Sequence, residues 1–459
     1  MNFYQDVFFR ALDMARGRRT IERLHFLRQS QHWDRETLKR WQLERLNALL
    51  LQAREHSPYY ARVLAGTPLP LQSLEQLHTL PVLDKKALRG HFEDLQCRNL
   101  PRSRFVLSRT GGSTGEPTYY YWDKRGQDWN RASVYRSAEW AGVALGERTA
   151  QMSGSHFDYT ESQKLKNRLV YFLQRYRDWP VSAVTDALME HYFEELHRFR
   201  PTSIWGYASG LNAFASHIER HHPGAKLDFV KAVITSSETL QPEQRARIDR
   251  VFGQGAVHDN YGSREIYYGA ECSAHDGYHL HAEVIILEVV RPDGSPCQPG
   301  ERGRILVTDL SNHAFPFIRY ENGDIGVMAP EAPCRCGVRL PKLKAIEGRI
   351  ADLVVLRDRV LTAPNFATLF SDLRGIEAYQ IRQEVVDRVD VYVVPGAEYS
   401  PKVRQYLDGA MQQLVGDGAQ AVIHEVPHIE VPESGKRRYV VSKVSEAQLR
   451  ASQPEEAVQ

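Results

Sequence analysis

Residues 229–266 read FVKAVITSSETLQPEQRARIDRVFGQGAVHDNYGSREI, and this stretch decides the fold. Its first part, FVKAVITSSETL, predicts a buried strand that leads into a polar loop. Pro242 then opens the helix PEQRARIDRVFG, because proline is favoured in the first turn of a helix. The segment AVHDNYGSREI is again a strand that leads into a loop. Strands that alternate with helices predict βαβ units, an α/β fold class and a largely parallel sheet flanked by helices.

The two polar loops, TSSETL and GSREI, follow the carboxyl ends of these predicted strands. In sheets of this kind, ligands bind at the edge where the strands end. The sequence therefore predicts a ligand site that both loops share.

A glycine-rich segment, TGGSTGEPT, occupies residues 110–118 after the short apolar run FVL. Glycines let backbone N–H groups approach an anion closely, and Ser113 and Thr114 add hydroxyl donors. A nucleotide-binding P-loop would need a lysine after its last glycine, but Glu116 and Pro117 follow Gly115. The segment is thus either a phosphate-binding loop without its lysine or a polar surface turn.

Beyond residue 280, the sequence pattern changes from alternating strands and helices to paired strands with short turns. Residues 284–310 predict a β-hairpin region, with DG and PG turns between β-branched runs. The last hundred or so residues predict a small α+β module with strands YQIRQEV, DVYVVP and AVIHEV and the helix PKVRQYLDGAMQQLV. We place the boundary near Gly348, which gives a large domain of residues 1–348 and a small domain of residues 349–459.

The composition is that of an ordinary globular protein, with 42% hydrophobic and 25% charged residues among 459. A formal net charge of +2 gives no support to nucleic-acid or membrane-surface binding. No apolar run approaches the roughly 20 residues that span a bilayer. Five cysteines without a secretion signal favour a reducing cytoplasm over a disulfide framework.

Five motifs occur in a fixed order along the chain. They are SRTGGSTGEPT (108–118), TSSETL (235–240), DNYGSREI (259–266), IRYENGDIG with GRIADLVV (318–326 and 348–355), and SGKRRYVVSKV (434–444). Their order and spacing resemble the adenylate-forming superfamily of acyl-CoA ligases, luciferase-like enzymes and peptide-synthetase adenylation domains. The segments HSPYYARVL, LHTLPVLDKKALR and FPFIRYENGD resemble its phenylacetate–CoA ligase branch, especially the relatives found among capsule-biosynthesis genes.

This resemblance covers nearly the whole chain, and it implies a reaction. A small carboxylic acid, aromatic or otherwise, would be activated by ATP and Mg²⁺ as acyl-AMP with release of pyrophosphate, and then transferred to coenzyme A. A carrier-protein thiol or an amine on a sugar or peptide is the alternative acceptor. A nucleotide-binding protein that has lost catalysis is a third hypothesis, which the intact Glu265, Asp324 and Lys436 disfavour. Whether the protein forms a homodimer is left open.

The resemblance assigns residues to the phosphates and the base. The loop that would hold the β,γ-phosphates consists of Thr110, Gly111, Gly112, Ser113, Thr114 and Gly115. Tyr261 resembles the aromatic residue that stacks on adenine, between Asn260 and Gly262. Ser263 resembles the hydroxyl near the α-phosphate, and Glu265 resembles the Mg²⁺ ligand, since that cation prefers carboxylate and phosphate oxygens. The alternative is a surface loop with a solvated Arg264–Glu265 pair.

Other residues are assigned to the cleft and the ribose. Ser236, Ser237 and Glu238 would line the nucleotide cleft, or else form a capping turn before Pro242. Asp324 resembles the carboxylate that accepts both ribose hydroxyls, with a tight hairpin turn at NGD as the alternative. Asn322 stands where many relatives have threonine.

The small domain contributes the moving parts that the resemblance implies. Arg349 resembles a second nucleotide contact, and Asp352 resembles the hinge about which this domain swings. Lys436 resembles the mobile lysine of the adenylation step, where a point charge on a flexible stem suits a developing oxyanion. The alternatives are a turn carboxylate for Asp352 and a solvated basic loop for Lys436.

A separate group of residues suits zinc. Cys272, His279, Cys334 and Cys336 form a Cys₃His set, although the C-x-C spacing is tighter than the usual C-x₂-C. Some phenylacetate–CoA ligase relatives carry a zinc site that resembles it. His279 is preferred over His275 and His281 because GYH matches the family's Gly-x-His. Four protein ligands would make the site structural, and three metal-free cysteines are the alternative.

The acid pocket is the least determined part of the site. Trp205, Gly206 and Tyr207 in SIWGYASG would line that pocket or belong to the core.

Overall fold

The computed structural model describes residues 4–109, 118–153, 170–180, 185–349, 354–357, 360–361, 365–366, 369–370, 373, 375–430 and 438–444. Within these ranges, no helix has the length and apolar character needed to cross a membrane.

Helices at the start of the chain pack against the main sheet. They are α1 (Phe9–Ala15), α2 (Thr20–Ser30), α3 (Arg35–His56), α4 (Pro58–Val63) and α5 (Lys85–Gly90), with a π-helical turn at Tyr4–Phe8 and 3₁₀ turns at Leu74–Thr79 and Arg102–Arg104. α3 begins at Arg35 because the side chain of Asp34 accepts a hydrogen bond from the backbone N–H of Thr37. Its apolar face is fully buried at Leu46, Leu49 and Leu50, and burial of each leucine contributes about 1.5–3 kcal/mol.

A hairpin follows these helices, formed by β1 (Phe105–Arg109) and β2 (Tyr119–Asp123). The strands are antiparallel and Arg109 pairs with Tyr119. The glycine-rich segment, residues 110–117, joins them and lies outside the described residues. Helix α6 (Gly126–Trp140) comes next.

The main sheet has eleven strands in the described part of the chain. They are β3 (Thr149–Ser153), β4 (Tyr176–Pro180), β5 (Ser203–Gly206), β6 (Ala232–Ser236), β7 (Val257–Gly262), β8 (Tyr267–Glu271), β9 (Tyr278–Leu280), β10 (Ile285–Val290), β11 (Arg302–Asp309), β12 (Tyr320–Met328) and β13 (Lys342–Arg349). Their order is β10-β11-β12-β13-β9-β8-β7-β6-β5-β3-β4.

The predicted α/β fold class is confirmed, with helices α7 (Asp186–Phe199), α8 (Ala208–His221) and α9 (Pro242–Phe252) between the strands. Fewer strands of the main sheet pair in parallel than predicted. The parallel pairs join only β4, β3, β5, β6 and β7. In the rest of the main sheet, from β7 to β10 in the strand order, the described pairings are antiparallel. Parallel neighbours need a crossover of a dozen or more residues, and only short turns separate β7, β8 and β9.

The predicted hairpin region and small module are also confirmed. β10 pairs with β11 in antiparallel register. The module contains β16 (Ile376–Val385), β17 (Arg388–Pro395), helix α10 (Pro401–Val415), β18 (Gln420–Glu425) and β19 (Val440–Ser442), preceded by the short pair β14 (Val354–Val355) and β15 (Val360–Leu361). The four-stranded sheet buries its own core, which includes Ile381, Val391 and Met411. The boundary near Gly348 stays a prediction.

Candidate active site

The predicted loops meet at the carboxyl edge of the parallel strands. Gly206 lies opposite Thr235, and Ser236 lies opposite Asn260. The ends of β5, β6 and β7 therefore share one edge, which is where a ligand is expected.

At the end of β7, the predicted residues Tyr261 and Asp324 form one hydrogen-bonded group with Asn322. Tyr261 Oη donates to Asp324 Oδ2 at 2.7 Å, and Asn322 Nδ2 donates to Tyr261 Oη at 2.8 Å. Asn322 Nδ2 also lies 2.9 Å from Asp324 Oδ2. Burial, and then the neighbouring Asp324 carboxylate, raise the pKa of Tyr261 well above its usual value. The phenol therefore keeps its proton and holds the carboxylate in place.

Asp324 reaches this group through a bulge in β12. Glu321 pairs with Leu306 and Ile325 pairs with Arg304, so Asn322, Gly323 and Asp324 together oppose one residue of β11. Gly323 has φ +87°, a left-handed conformation that glycine adopts without strain. The alternative interpretation of NGD as a tight hairpin turn is wrong, because the segment lies inside a continuous strand.

Asp259 and Asn260 precede Tyr261 in β7, and the two residues have different roles. Asn260 Nδ2 is buried and has no hydrogen-bond partner among the described residues. Asp259 lies beneath the cleft and accepts hydrogen bonds from Thr235 Oγ1 at 2.5 Å and Tyr278 Oη at 2.7 Å. Burial, and then the carboxylate of Glu271, raise the pKa of Asp259 to about 7. Asn260 thus offers an unused donor, and Asp259 fastens three strands together.

Ser263 and Glu265 lie in the turn from β7 to β8. Ser263 Oγ accepts a hydrogen bond from the backbone N–H of Ile266 at 3.2 Å and lies 3.0 Å from Tyr268 Oη. A Cβ on Gly262 would come within 2.9 Å of the Tyr267 ring, so the turn requires glycine there. The sequence prediction of a loop holds, but the loop is a short and well-bonded turn.

Glu265 is buried, with only 5% of the residue exposed. Tyr320 Oη donates to Glu265 Oε1 at 3.4 Å. Burial and then Glu265 raise the pKa of Tyr268 and of Tyr320, and Asp324 raises both further. Both tyrosines are therefore close enough to Glu265 and Asp324 for each carboxylate to raise their pKa. This arrangement does not fit the alternative of a solvated Arg264–Glu265 pair.

The glycine-rich residues Thr110, Gly111, Gly112, Ser113, Thr114 and Gly115 lie outside the described residues, but the ends of their hairpin are placed. Tyr120 Oη donates to the backbone carbonyl of Arg264 at 2.7 Å. In return, Arg264 Nη1 donates to the carbonyl of Arg109 at 3.3 Å. The loop thus leaves and re-enters the described chain beside the Ser263–Glu265 turn.

The TSSETL residues follow β6. Ser237 has φ +69°, an uncommon conformation for a residue other than glycine that often accompanies functional sites. Glu238 accepts hydrogen bonds from Ser209 N at 2.8 Å and Ser209 Oγ at 3.0 Å. Glu238 therefore caps the first turn of α8. The alternative interpretation was a capping turn before Pro242, at the start of α9, so Glu238 does have a capping role but at a different helix. Gln241 and Gln244 cap α9 themselves.

Residues of the GYASG segment divide between core and cleft. A Cβ on Gly206 would come within 2.9 Å of the carbonyl of Met152, so packing alone explains this glycine. Trp205 packs against a buried cluster with Ala232 and Ile234. Burial, and then Glu238, raise the pKa of Tyr207, with Arg264 opposing. Tyr207 therefore lies within range of the charges of Glu238 and Arg264.

The remaining predicted residues are only partly placed. Arg349 ends β13 and pairs with Asp324 across the sheet, which brings its backbone to the cleft. Asp352 and Lys436 lie outside the described residues.

The four predicted zinc ligands come together, with one ligand atom from each lying within 4.8 Å of the others. Cys272 Sγ and Cys334 Sγ are 3.7 Å apart, and Cys336 Sγ lies 3.3 Å from His279 Nε2. Tetrahedral zinc with ordinary bond lengths requires about 3.8 Å between two sulfurs and about 3.6 Å between sulfur and nitrogen. Backbone N–H groups of Ala274 and Val338 point at Cys272 Sγ and Cys336 Sγ at 3.4 Å. The donor set and its spacing fit zinc.

His279 is oriented as a ligand. Its Nδ1 lies 3.2 Å from the carbonyl of Leu340, which directs Nε2 toward the thiols. Burial lowers the pKa of His279 to about 4, so the ring is neutral near pH 7. The rival residues are engaged elsewhere, His275 with the carbonyl of Gly255 at 3.2 Å and His281 with Arg136 at 2.7 Å.

Arg264 and Ser209 are among the residues of the site that were not predicted from the sequence. Arg264 lies at the ends of the glycine-rich loop, and Ser209 ties α8 to the cleft. The one sequence signal for Arg264 was the absence of a lysine after Gly115. A phosphate-binding loop without its own cation is expected to use a cation from a neighbouring segment. Ser209 has no sequence signal, because its partner Glu238 is 29 residues away.

Comparisons with known proteins show what this chain is similar to. The CapK C-terminal domain family matches residues 354–443. A phenylacetate–coenzyme A ligase from Thermus thermophilus is 27% identical over 376 residues, which are 78% of this chain and 82% of that protein. Protein CapK from Staphylococcus aureus is 21% identical over 405 residues, or 85% of this chain and 86% of that protein.

A solved structure shares the fold. It is 2-hydroxyisobutyryl-CoA ligase in the postadenylation state in complex with R3-HIB-AMP, with a TM-score of 0.70, 21% identity and coverage of 89% of this chain and 90% of that chain. The sequence relatives extend over most of the same length. These similarities over most of the chain confirm the predicted resemblance to the phenylacetate–CoA ligase and CapK branch of adenylate-forming enzymes.

Proposed function

We propose that the protein is an AMP-forming acid–thiol ligase. It activates a small carboxylic acid with ATP as acyl-AMP, releases pyrophosphate and transfers the acyl group to coenzyme A. The observation that carries this proposal is the hydrogen-bonded group of Tyr261, Asn322 and Asp324 beside the Ser263–Glu265 turn. It lies in a chain that is similar over most of its length to proteins named phenylacetate–coenzyme A ligase.

Asp324 accepts the ribose hydroxyls, and its neighbours prepare it for that task. Tyr261 and Asn322 both donate to Asp324 Oδ2, so the carboxylate has its orientation before the nucleotide arrives. A preorganised acceptor loses less entropy on binding. The adenine lies against Tyr261, and the unused amide of Asn260 is the donor for a polar edge of the base.

Glu265 is the residue that holds Mg²⁺ on the phosphates. A buried carboxylate next to hydroxyl groups matches the hard oxygen ligands that this cation prefers. Bound Mg²⁺ would supply positive charge to the phosphate oxygens. Ser263 donates its hydroxyl near the α-phosphate.

The glycine-rich loop, Thr110 to Gly115, cradles the β,γ-phosphates with backbone N–H groups. Its missing cation is supplied by Arg264, whose guanidinium reaches the carbonyl of Arg109 at the start of the loop. Ser236, Ser237 and Glu238 form the opposite wall of the cleft. Arg349 adds a nucleotide contact at the end of β13.

The small domain supplies the moving lysine. Lys436 neutralises the charge that develops between the α-phosphate and the carboxylate as acyl-AMP forms. Asp352 is the hinge about which residues 349–459 then swing relative to residues 1–348.

Zinc has a structural role at Cys272, His279, Cys334 and Cys336. Four protein ligands leave no open position for a substrate, so the ion stabilises the fold around β8, β9 and β13. A reducing cytoplasm is the compartment we propose, because it would keep these thiols available to the ion.

Acid-dependent ATP–pyrophosphate exchange over a panel of small aromatic and aliphatic acids tests the first half-reaction. Exchange with at least one acid is expected. Binding of ATP without exchange for any acid would favour the inactive nucleotide-binding protein.

Release of AMP tests the acceptor. With the active acid, AMP should be released when coenzyme A is present and not without it. Release that depends on an added amine or a carrier protein instead would favour the alternative acceptor.

A further inference from the structure

A second group of histidines and carboxylates lies away from the cleft, where α7 and α8 pack together. His217, near the end of α8, is buried, with 2% of its side chain exposed. His222 directly follows the C-terminal end of that helix. Asp186 and Glu190 lie in the first turns of α7. The proposed reaction uses none of these residues.

His217 has a carboxylate oxygen at each ring nitrogen. Its Nδ1 lies 3.2 Å from Asp186 Oδ1, and its Nε2 lies 3.0 Å from Glu190 Oε2. A neutral imidazole has one N–H, so one nitrogen would present a lone pair to a carboxylate oxygen. That contact is repulsive unless a positive charge, either a proton or a metal ion, lies there.

A second imidazole beside the same carboxylate favours a metal ion as this charge, because it adds a third ligand atom. His222 Nε2 lies 2.8 Å from the same oxygen, Glu190 Oε2. One ligand atom from each of Glu190, His217 and His222 lies within 4.8 Å of the others, which is the spacing of a metal's ligands. The ring of Phe193 stacks on His222 with centroids 3.7 Å apart and fixes the imidazole in this direction.

Asp186 completes the arrangement without being a ligand. Arg220 Nη2 lies 3.3 Å from Asp186 Oδ1, so a guanidinium already balances this carboxylate. Asp186 can accept the Nδ1–H of His217, which leaves Nε2 as the free lone pair. Metal-bound histidines commonly donate their other N–H to a carboxylate in this way. His221 Nε2 is more distant from Asp186, at 3.9 Å.

We propose that Glu190, His217 and His222 form a binding site for a divalent transition-metal ion such as zinc. Two imidazoles and one carboxylate are a common protein ligand set for zinc, and a water molecule fills the remaining position. Glu190 and His222 are partly exposed, so ions can enter from solvent. The ion joins the start of α7 to the end of α8. The site is distinct from the cysteine cluster and does not depend on the proposed reaction.

Equilibrium dialysis of the full-length protein against buffered free zinc tests the proposal. The wild type should bind about two zinc ions per chain, one at the cysteines and one at the histidines. Glu190→Gln and His222→Gln should each bind about one ion, with unchanged melting temperatures in metal-depleted buffer. His191→Gln is the matched control, since His191 is exposed on α7 and outside the ligand set; it should bind as the wild type does.

Asp186→Ala gives a graded result. Loss of the outer carboxylate should lower the zinc affinity about 10–100-fold without removing the site. Retention of the second ion in both Glu190→Gln and His222→Gln would overturn the proposal. So would a wild type that binds only the cysteine ion at saturating zinc, in which case the group is a protonated histidine–carboxylate network.

Discussion

The nucleotide cleft and the cysteine cluster are two polar regions carried by the same strands. β8 begins at Tyr267, two residues after Glu265, and ends immediately before Cys272. β13 pairs with His279 at its start and with Asp324 at its end. At the cleft, Tyr261, Asn322 and Asp324 are joined by hydrogen bonds between side chains. At the cluster, the thiols contact one another and His279 and receive only weak hydrogen bonds from two backbone N–H groups. From this difference we expect that the cleft keeps its arrangement without a ligand, whereas a bound metal ion would stabilise the cluster.

Removal of metal should sharpen this comparison most. Purified protein should contain about one tightly held zinc from the cysteine cluster. Free zinc at about 1,000 times its dissociation constant stabilises a fold by roughly 4.1 kcal/mol, so chelation or Cys336→Ser should lower the unfolding free energy by about that amount. Acyl-AMP formation per folded molecule should change little. Elemental analysis and denaturant unfolding measure the two quantities.

Cys297→Ser is the control for this experiment, because Cys297 lies outside the cluster. Zinc affinity should also fall as pH falls, since burial raises the pKa of Cys272 to about 12 and a proton competes with the metal for its sulfur. Equal zinc content in Cys336→Ser and wild type would show that the cysteines are only packing.

Lys436→Ala should have the next largest effect, and on the reaction alone. One charge that faces the transition state in a site without water is worth about 3–4 kcal/mol, or roughly 10²–10³ in the rate of acyl-AMP formation. The second half-reaction, started from synthetic acyl-AMP and coenzyme A, should stay largely intact. Stopped-flow or quench measurements of each half-reaction check both.

Two further variants bracket this result. Lys443→Ala is the matched control, since Lys443 is exposed and pairs with Glu384 at 2.7 Å. Asp352→Pro should do the opposite of Lys436→Ala, because a locked φ would hold the small domain in its adenylating pose. Equal slowing of both half-reactions in Lys436→Ala would make the lysine a structural residue.

Asp324→Ala should weaken ATP binding by about 2–3 kcal/mol, the scale of a lost charge-assisted hydrogen-bond partner. Tyr261→Phe removes only the hydroxyl that orients this carboxylate, so about 1 kcal/mol is expected. Calorimetric titration with ATP measures both, and the unfolding free energy reports any structural damage. Unchanged affinity in Asp324→Ala would remove it from the ribose site.

Arg264→Gln should have the smallest effect, because an exposed cation is screened by solvent. We expect a loss of about 1 kcal/mol in the transition state for adenylation, or roughly fivefold in rate. Arg198→Gln, a change at an exposed arginine of α7, serves as control. Wild-type kinetics in Arg264→Gln would contradict the proposal that Arg264 supplies the cation of the glycine-rich loop.

Much of the fold could be predicted because its signals are local. Strand and helix periodicity along residues 229–266 predicted the parallel strands, and the DG and PG turns predicted the β10–β11 hairpin. The antiparallel continuation beyond β7 was underestimated. Strand direction there depends on turn length and pairing partners, and β9 pairs with β13, more than 60 residues later in the chain.

The site divides in the same way. Motif residues such as Tyr261 and Asp324 could be named from the sequence, but their mutual hydrogen bond could not, since 63 residues separate them. The bulge that presents Asp324 depends on the pairing with β11, which the sequence does not show. From the sequence alone, a tight hairpin turn at NGD was therefore also an open interpretation. The two tyrosines beside Glu265, Tyr268 and Tyr320, come from two separate strands, and only Tyr320 lies within a motif.

The hydrogen bonds from Ser209 to Glu238 have a consequence for protein engineering. The N-cap residue of α8, Tyr207, makes no side-chain capping hydrogen bond, and the carboxylate from the loop after β6 takes over that function. A graft of residues 203–210 from a relative, intended to change the accepted acid, would separate this helix from its cap. Transplants should therefore carry residues 235–240 together with residues 203–210, as one exchangeable unit.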